Sequence, residues 1–311
     1  FKYKKLMINL FDPKKTKKLI GFNKNFSFLK NLIISEKLPK ILMLSGEKGI
    51  GKFTFINHFL HYYFDKDNYD ENKYEIIQEN NFFLKNFRNL FPNIEYIQPS
   101  STKKILVEDI RKLKINLLKT SYIDGKRFII LDDVETFNIN SLNALLKIIE
   151  EPNKENYFIL INNKTKPLIE TIKSRCLEIK IFLKQKEKVD ISLFLLKYFN
   201  QKNMLNPDKV EISPAFFLKF NNFFLEKKIN LNDKIINNLN LILNYYKKEK
   251  DTIYKDLIIF YIDYYLKDKK INIKKNIEKR IFLLKSVNDF FAYNLNSNSL
   301  LNSIETKFFY E

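Results

Sequence analysis

Gly46-Glu47-Lys48-Gly49-Ile50-Gly51-Lys52-Phe53-Thr54 is the stretch that decides the fold of this 311-residue chain. Just upstream, Ile41-Leu42-Met43-Leu44 is a short apolar run of buried-strand type, and helical spacing begins near Gly51. A strand, a glycine loop and a helix are the context that a phosphate-binding loop needs. Glycines let successive backbone N–H groups converge on an anion, and the helix N-terminus adds positive potential. The amine of Lys52 would then neutralise the terminal phosphates. The chain has only five glycines, and three of them fall in this loop, so backbone freedom has been kept where it is needed. The strict pattern puts a Ser or Thr directly after the lysine, to ligate Mg²⁺; here that position is Phe53. Thr54 comes one residue late, which turns its side chain by about 100° round the helix, away from the metal. Two readings stay open. The loop is either a nucleotide seat, built from Gly46, Gly49, Ile50, Gly51, Lys52, Phe53 and Thr54, or a relic that keeps its shape without ligand.

Downstream, Lys126-Arg127-Phe128-Ile129-Ile130-Leu131-Asp132-Asp133-Val134-Glu135 reads as a hydrophobic strand ending in carboxylates. Beside a phosphate loop, the first carboxylate, Asp132, would hold Mg²⁺ through water if nucleotide binds. The second would orient an attacking water. Asp133 is one methylene shorter than the Glu usual there. Further strands are expected at 94–97, 158–161 and 177–181, and amphipathic helices around 107–118 and 142–149, the second closed by Pro152. Strands alternating with helices imply an α/β core, a parallel sheet with helices on both faces.

After about residue 183 the strand-type runs fade and helical periodicity takes over. Ile277, Ile281, Leu284, Val287 and Phe291 share one helical stripe, and Ile253, Leu257, Tyr261 and Tyr264 or Tyr265 share another. Asn206-Pro207-Asp208 and Ser213-Pro214 are breaks. The expected organisation is a nucleotide-binding core over 1–182, a small helical domain over 183–225 and a larger helical one over 226–311. Residues 65–75, dense in charge and Asn, read as a solvated loop.

The net charge of +19, from 55 basic and 36 acidic residues, favours a polyanionic partner, nucleic acid first. Heavy use of Lys, Asn, Ile and Phe, the residues of A/T-rich codons, offers a second explanation for it. The single cysteine, Cys176, rules out an intrachain disulfide and a Cys-rich zinc site, and a reducing, cytoplasmic setting fits. No long uncharged apolar run reads as a membrane span. The chain opens on Phe1-Lys2-Tyr3-Lys4-Lys5 rather than Met, which leaves room for residues upstream. His58 and His61, three apart on the helix after the loop, lack ligand partners and read as packing residues, not a metal site. Phe216-Phe217 and Phe223-Phe224 read as core. The Lys-rich stretches at 246–250 and 267–275 read as solvated helix faces, with DNA phosphate contact there the sharper alternative.

Ser141-Leu142-Asn143-Ala144-Leu145-Leu146-Lys147-Ile148-Ile149-Glu150-Glu151-Pro152 resembles the Asn-Ala-Leu-Leu-Lys to Glu-Glu-Pro segment of clamp-loader AAA+ subunits. Ser174-Arg175-Cys176 is similar to their Ser-Arg-Cys motif, and Leu19-Ile20-Gly21 to their N-terminal Ile-Gly box. Asn163 falls at their sensor 1 position. Tyr293-Asn294-Leu295-Asn296 with Leu300-Leu301 looks like the final collar helices of the delta-prime branch. The resemblance is dense over 126–176 and thin over 183–290. It implies a RecA-like AAA+ module, a helical lid and an all-α collar used for oligomerisation. It also implies a pentameric ring with the gamma/tau motor and delta subunits that opens a sliding clamp and places it on primer-template DNA. Arg175 would be an arginine finger reaching a neighbour's ATP, while Ser174 and Cys176 would be structural.

Three departures separate the chain from the motor subunits: Phe53, Asp133, and Phe216 where a loose match to the lid segment puts the sensor 2 arginine. The family's four-cysteine zinc module is also missing. What the resemblance implies is therefore a delta-prime-like subunit of the DNA polymerase III holoenzyme, giving a finger and hydrolysing ATP weakly or not at all. An active gamma/tau-like or replication factor C small-subunit ATPase is the alternative. A DNA-binding AAA+ protein of initiator or helicase type comes next. No polymerase active site is visible in the chain.

Overall fold

Runs of Ile, Leu, Phe and Met make the three inner strands of the central sheet, and their burial on both faces explains why these runs do not alternate with polar residues. The computed structural model describes residues 11–99, 104–118, 125–268 and 273–309. The opening five residues and positions 269–272 of the Lys-rich stretch lie outside these. The strands are β1 (Ile41–Ser45), β2 (Tyr69–Asp70), β3 (Glu75–Ile76), β4 (Ile94–Ile97), β5 (Arg127–Leu131), β6 (Asn156–Asn162) and β7 (Leu177–Lys180). Five of them pair in parallel in the order β4-β5-β6-β1-β7, while β2 and β3 form a short antiparallel pair. From β1 the chain crosses to the far edge at β4 and steps back through β5 and β6. It ends at β7 on the other side of β1. Ligands of open parallel sheets sit beyond the carboxyl ends of the strands where the order reverses. Here the glycine loop, the Asp132-Asp133 pair and Asn163 follow β1, β5 and β6 at that edge.

The chain divides into two compact units. The first comprises Phe11–Ile191 with Ser213–Ala215. Its helices are α1 (Asn23–Ile34), α2 (Lys52–Phe64), α3 (Asn81–Phe87), α4 (Val107–Leu118), α5 (Ile139–Ile149) and the short α6 (Glu170–Lys173). One layer of its core packs Met43, Ile129, Leu131, Phe158 and Leu160 against Ile110, Leu113, Leu142 and Leu145 of α4 and α5. Each such side chain contributes about 1.5–3 kcal/mol. Asn138 caps α5, its side chain accepting from the Ser141 amide at 2.8 Å.

Residues 65–75 are not the solvated loop expected. They contain β2 and the first residue of β3, with Tyr69 only 4% exposed. The Tyr69 ring stacks on Phe26 at 5.6 Å, and its hydroxyl meets His58 Nδ1 at 3.1 Å. The surrounding charge hides this one aromatic anchor from a compositional reading. His58 and His61 are both buried on α2, where burial lowers the His58 pKa to about 4.

The second unit comprises Ser192–Ile212 and Phe216–Glu311. Its elements are the second half of α7 (Gln185–Tyr198) and most of α8 (Pro214–Glu226), then α9 (Ile235–Glu249), α10 (Ile253–Asp268), α11 (Ile273–Tyr293) and α12 (Ser297–Phe309). Aromatic pairs knit it together: Phe220 with Phe260 at 5.0 Å, Phe223 with Tyr254 at 5.8 Å, Phe224 with Tyr261 at 5.5 Å. The stripe read on α11 is corrected. Ile277 and Ile281 are exposed, and the buried face is Leu283, Val287 and Phe290. With apolar residues at so many positions of α11, two stripes compete, and packing selects the one next to Ile277 and Ile281. Among the described residues no helix is long and apolar enough to cross a membrane.

Candidate nucleotide-binding site

Beyond β1 the loop can be built only with glycine at two kinds of position. A Cβ on Gly46 would lie 2.3 Å from the Ile181 carbonyl oxygen, so the tight passage there excludes any side chain. Gly49 and Gly51 have φ of 83° and 99°, in the left-handed region, and Gly51 is the N-cap of α2. The Gly46 amide donates to Asn162 O at 3.1 Å, tying the loop to β6. Among the described residues, the amides from Glu47 to Gly51 donate to no protein acceptor, which leaves them available at the helix N-terminus. Ile50 is buried beneath the loop and Thr54 is half-buried on α2.

Lys52 is 3% exposed and folds back on the loop, donating to Gly46 O at 2.8 Å and Glu47 O at 2.7 Å. Burial lowers its pKa to about 8, against the attraction of Asp132, Glu135, Asp133 and Glu47. Phe53 turns sideways. Its ring stacks on Tyr96 of β4, centroids 5.7 Å apart, and the Lys14 ammonium sits 3.3 Å from the Tyr96 centroid.

The acidic strand end is crowded. Asp132 Oδ1 accepts from the Asp133 amide at 2.9 Å and from Asn163 Nδ2 at 3.3 Å. Burial, then the neighbouring Asp133 charge, raise the Asp132 pKa to about 6. Asp133, at φ 51°, accepts from Asn163 Nδ2 at 2.6 Å and pairs with Lys48 Nζ at 3.1 Å. Asn163 therefore bridges both carboxylates. It is itself placed by Glu135, which is 4% exposed and accepts from the Asn163 amide at 3.1 Å and the Thr165 hydroxyl at 2.7 Å.

Two straps cross the loop. Lys188 pairs with Glu47, and the Ala215 amide donates to Gly49 O at 3.1 Å. The preceding Ser213 hydroxyl is buried without a hydrogen-bond partner among the described residues. Phe216 belongs to the second unit, half-buried, its ring 5.7 Å from that of Phe220.

Arg175 stands apart from this cluster. Its guanidinium donates to Thr171 O at 2.9 Å and pairs with Glu150 at 2.8 Å, with more than a third of the side chain exposed. Cys176 is half-buried, its thiol donating to Ile172 O at 3.1 Å, and burial pushes its pKa up to about 12. The loop, Asp132, Asp133 and Asn163 are thus brought together at one sheet edge, and Arg175 is not. Lys48, Glu135, Glu150 and Lys188 were missed by sequence reasoning. Glu135 carried a signal as the third acid after β5, and Glu150 as the first glutamate of the Glu150-Glu151-Pro152 segment.

The strand order, the glycine loop before α2 and the carboxylates after β5 define a P-loop protein of the AAA+ class. A family model described as DNA polymerase III, delta subunit, matches residues 22–185, more than half of the chain. The chain belongs to that family, one of clamp-loader subunits. Among curated relatives, the DNA polymerase III subunit delta' of Pseudomonas aeruginosa is 34% identical over 88 residues, covering 28% of this chain and 27% of the relative. The subunit gamma of Buchnera aphidicola subsp. Schizaphis graminum is 29% identical over 200 residues, 63% of this chain and 52% of the relative. The matches thus span about a quarter to a half of these relatives' length. Among solved structures, a gamma subunit-related protein of Thermotoga maritima aligns at TM-score 0.46 and 17% identity, covering 90% of this chain and 96% of that one.

Proposed function

We propose that this chain is a non-motor, delta-prime-like subunit of the clamp loader of the DNA polymerase III holoenzyme. In that role it sits in a ring with gamma/tau motor and delta subunits, in the cytoplasm, and helps place the sliding clamp on primer-template DNA. Arg175 acts in trans as the finger on a neighbour's ATP, and the chain's own ATP hydrolysis is weak or absent. Residues 183–225 serve as lid and 226–311 as oligomerising collar.

One contrast carries the reading. Arg175 is exposed in an intact Ser174-Arg175-Cys176 motif, while Phe53 is stacked away on Tyr96 and Asp133 is paired with Lys48. A guanidinium suits a finger because it is planar, always charged and multidentate. The chain is equipped to complete another site and ill-equipped to run its own.

The test is reconstitution with the motor and delta subunits of its own organism, reading ATP turnover with clamp and primed DNA. Arg175→Ala should assemble normally and lower the turnover of the complex. An Arg175→Ala complex that turns over as the wild type does, or a chain that never joins the ring, rejects the role.

A further inference from the structure

The fold family implies a divalent cation at this seat, held by a hydroxyl after Lys52 and by the carboxylates after β5. The residues present do not fit one. Phe53 offers no oxygen, and its ring is committed to Tyr96. Three of the four carboxylate oxygens are engaged by protein donors: Asp132 Oδ1 by Asn163 and the Asp133 amide, Asp133 Oδ1 by Asn163, and Asp133 Oδ2 by Lys48. Mg²⁺ demands near-ideal octahedral oxygen geometry and is usually held through one or two carboxylates. Here an ammonium already occupies the outer carboxylate.

The anion-binding side of the loop is intact. The amides from Glu47 to Gly51 are unspent on protein acceptors among the described residues, and the Lys52 amine lies beneath them. Lys48 pairs with Asp133 and offsets its charge, so the outer carboxylate already has its counter-cation. We propose that the loop takes a nucleoside polyphosphate as the metal-free anion, with Lys48 supplying the positive charge that a divalent cation supplies in other phosphate loops. This rests on the loop's being a nucleotide seat within the proposed function, and not on the role of Arg175.

The purified chain is titrated with N-methylanthraniloyl-ATP, followed by fluorescence, once with excess Mg²⁺ and once with excess EDTA. The two dissociation constants should agree within about twofold. Tightening by about tenfold or more in Mg²⁺ overturns the proposal. So does the absence of binding in both buffers, an outcome that leaves the Arg175 test in the complex unaffected. Lys48 is about half exposed, so its replacement leaves the core intact. Lys48→Ala should weaken binding in EDTA by about tenfold and make it Mg²⁺-dependent, because Asp133 is freed. Lys48→Arg, which keeps the charge, should bind within about threefold of wild type. Unchanged affinity in Lys48→Ala removes Lys48 from the assignment.

Discussion

The ring of Phe53 lies stacked on that of Tyr96, planes 24° apart, and the Tyr96 hydroxyl is anchored on Asn86 Oδ1 at 2.7 Å. The Lys14 ammonium sits over the Tyr96 ring and donates to Asn86 O at 3.1 Å. Position 53 is therefore built into the packing of α2 on β4, beyond the loss of a hydroxyl.

Phe53→Thr should for that reason fail to create an ATPase. Turnover is expected to stay at the level of a Lys52→Ala control, because Asp133 remains paired with Lys48. The substitution should also cost about 1 kcal/mol or more of stability through the lost aromatic pair, read from denaturant unfolding. Turnover clearly above the control would mean that the hydroxyl alone had silenced the site.

Gly46 tests the loop's shape separately from its chemistry. A methyl group there would be forced against the Ile181 carbonyl, backbone that cannot swing aside. Gly46→Ala should destabilise the fold by on the order of 3 kcal/mol, measured by chemical denaturation. Near-native stability would show that the strand end after β7 can give way.

The parts of this molecule that were legible beforehand are those where one residue's type constrains its own surroundings. Ile94–Ile97 was read as a strand because four residues with three large apolar or aromatic members have few other homes. The glycine loop was readable because left-handed φ and close approach select glycine. Lys48–Asp133 and Arg175–Glu150 were not readable, since a surface lysine or glutamate fits many neighbours equally well. Glu135 lay between these cases: an acid three residues after Asp132 is ordinary in a turn, and only its burial beneath Asn163 and Thr165 reveals that it positions Asn163. On α11 the sequence offered two apolar stripes, and tertiary packing chose between them.

Arg175 makes a prediction about stability as well as about function. Its pairing with Glu150 lies in solvent, where such pairs are worth about 0–1 kcal/mol. Arg175→Ala should therefore unfold within about 1 kcal/mol of wild type while, on the proposed finger role, lowering turnover at the neighbouring ATP site by about a thousandfold, the lower range for arginine fingers. Arg175→Lys should restore little, because an ammonium lacks the planar fork. A large loss of stability would move Arg175 from the interface to the fold.

His61 makes the chain acid-sensitive. Its ring is 1% exposed, lies edge-on to Phe82 at 4.8 Å, and neither ring nitrogen has a hydrogen-bond partner among the described residues. Burial, then the nearby His58, lower its pKa from 6.5 to about 3, although the Asp65 carboxylate stands 3.9 Å away. The unfolded chain thus takes up this proton at higher pH than the folded one. The stability contributed by the neutral ring is present above about pH 6.5 and is lost progressively as pH falls towards 3. At pH 5 the loss due to His61 should be about 2 kcal/mol relative to pH 7.5. His61→Leu removes the proton and keeps the apolar contacts with Phe82 and Phe83. Its unfolding free energy should fall by that much less between pH 7.5 and pH 5, leaving the His58 contribution in place. Parallel pH profiles for the two chains would show that His61 is protonated in the folded state after all.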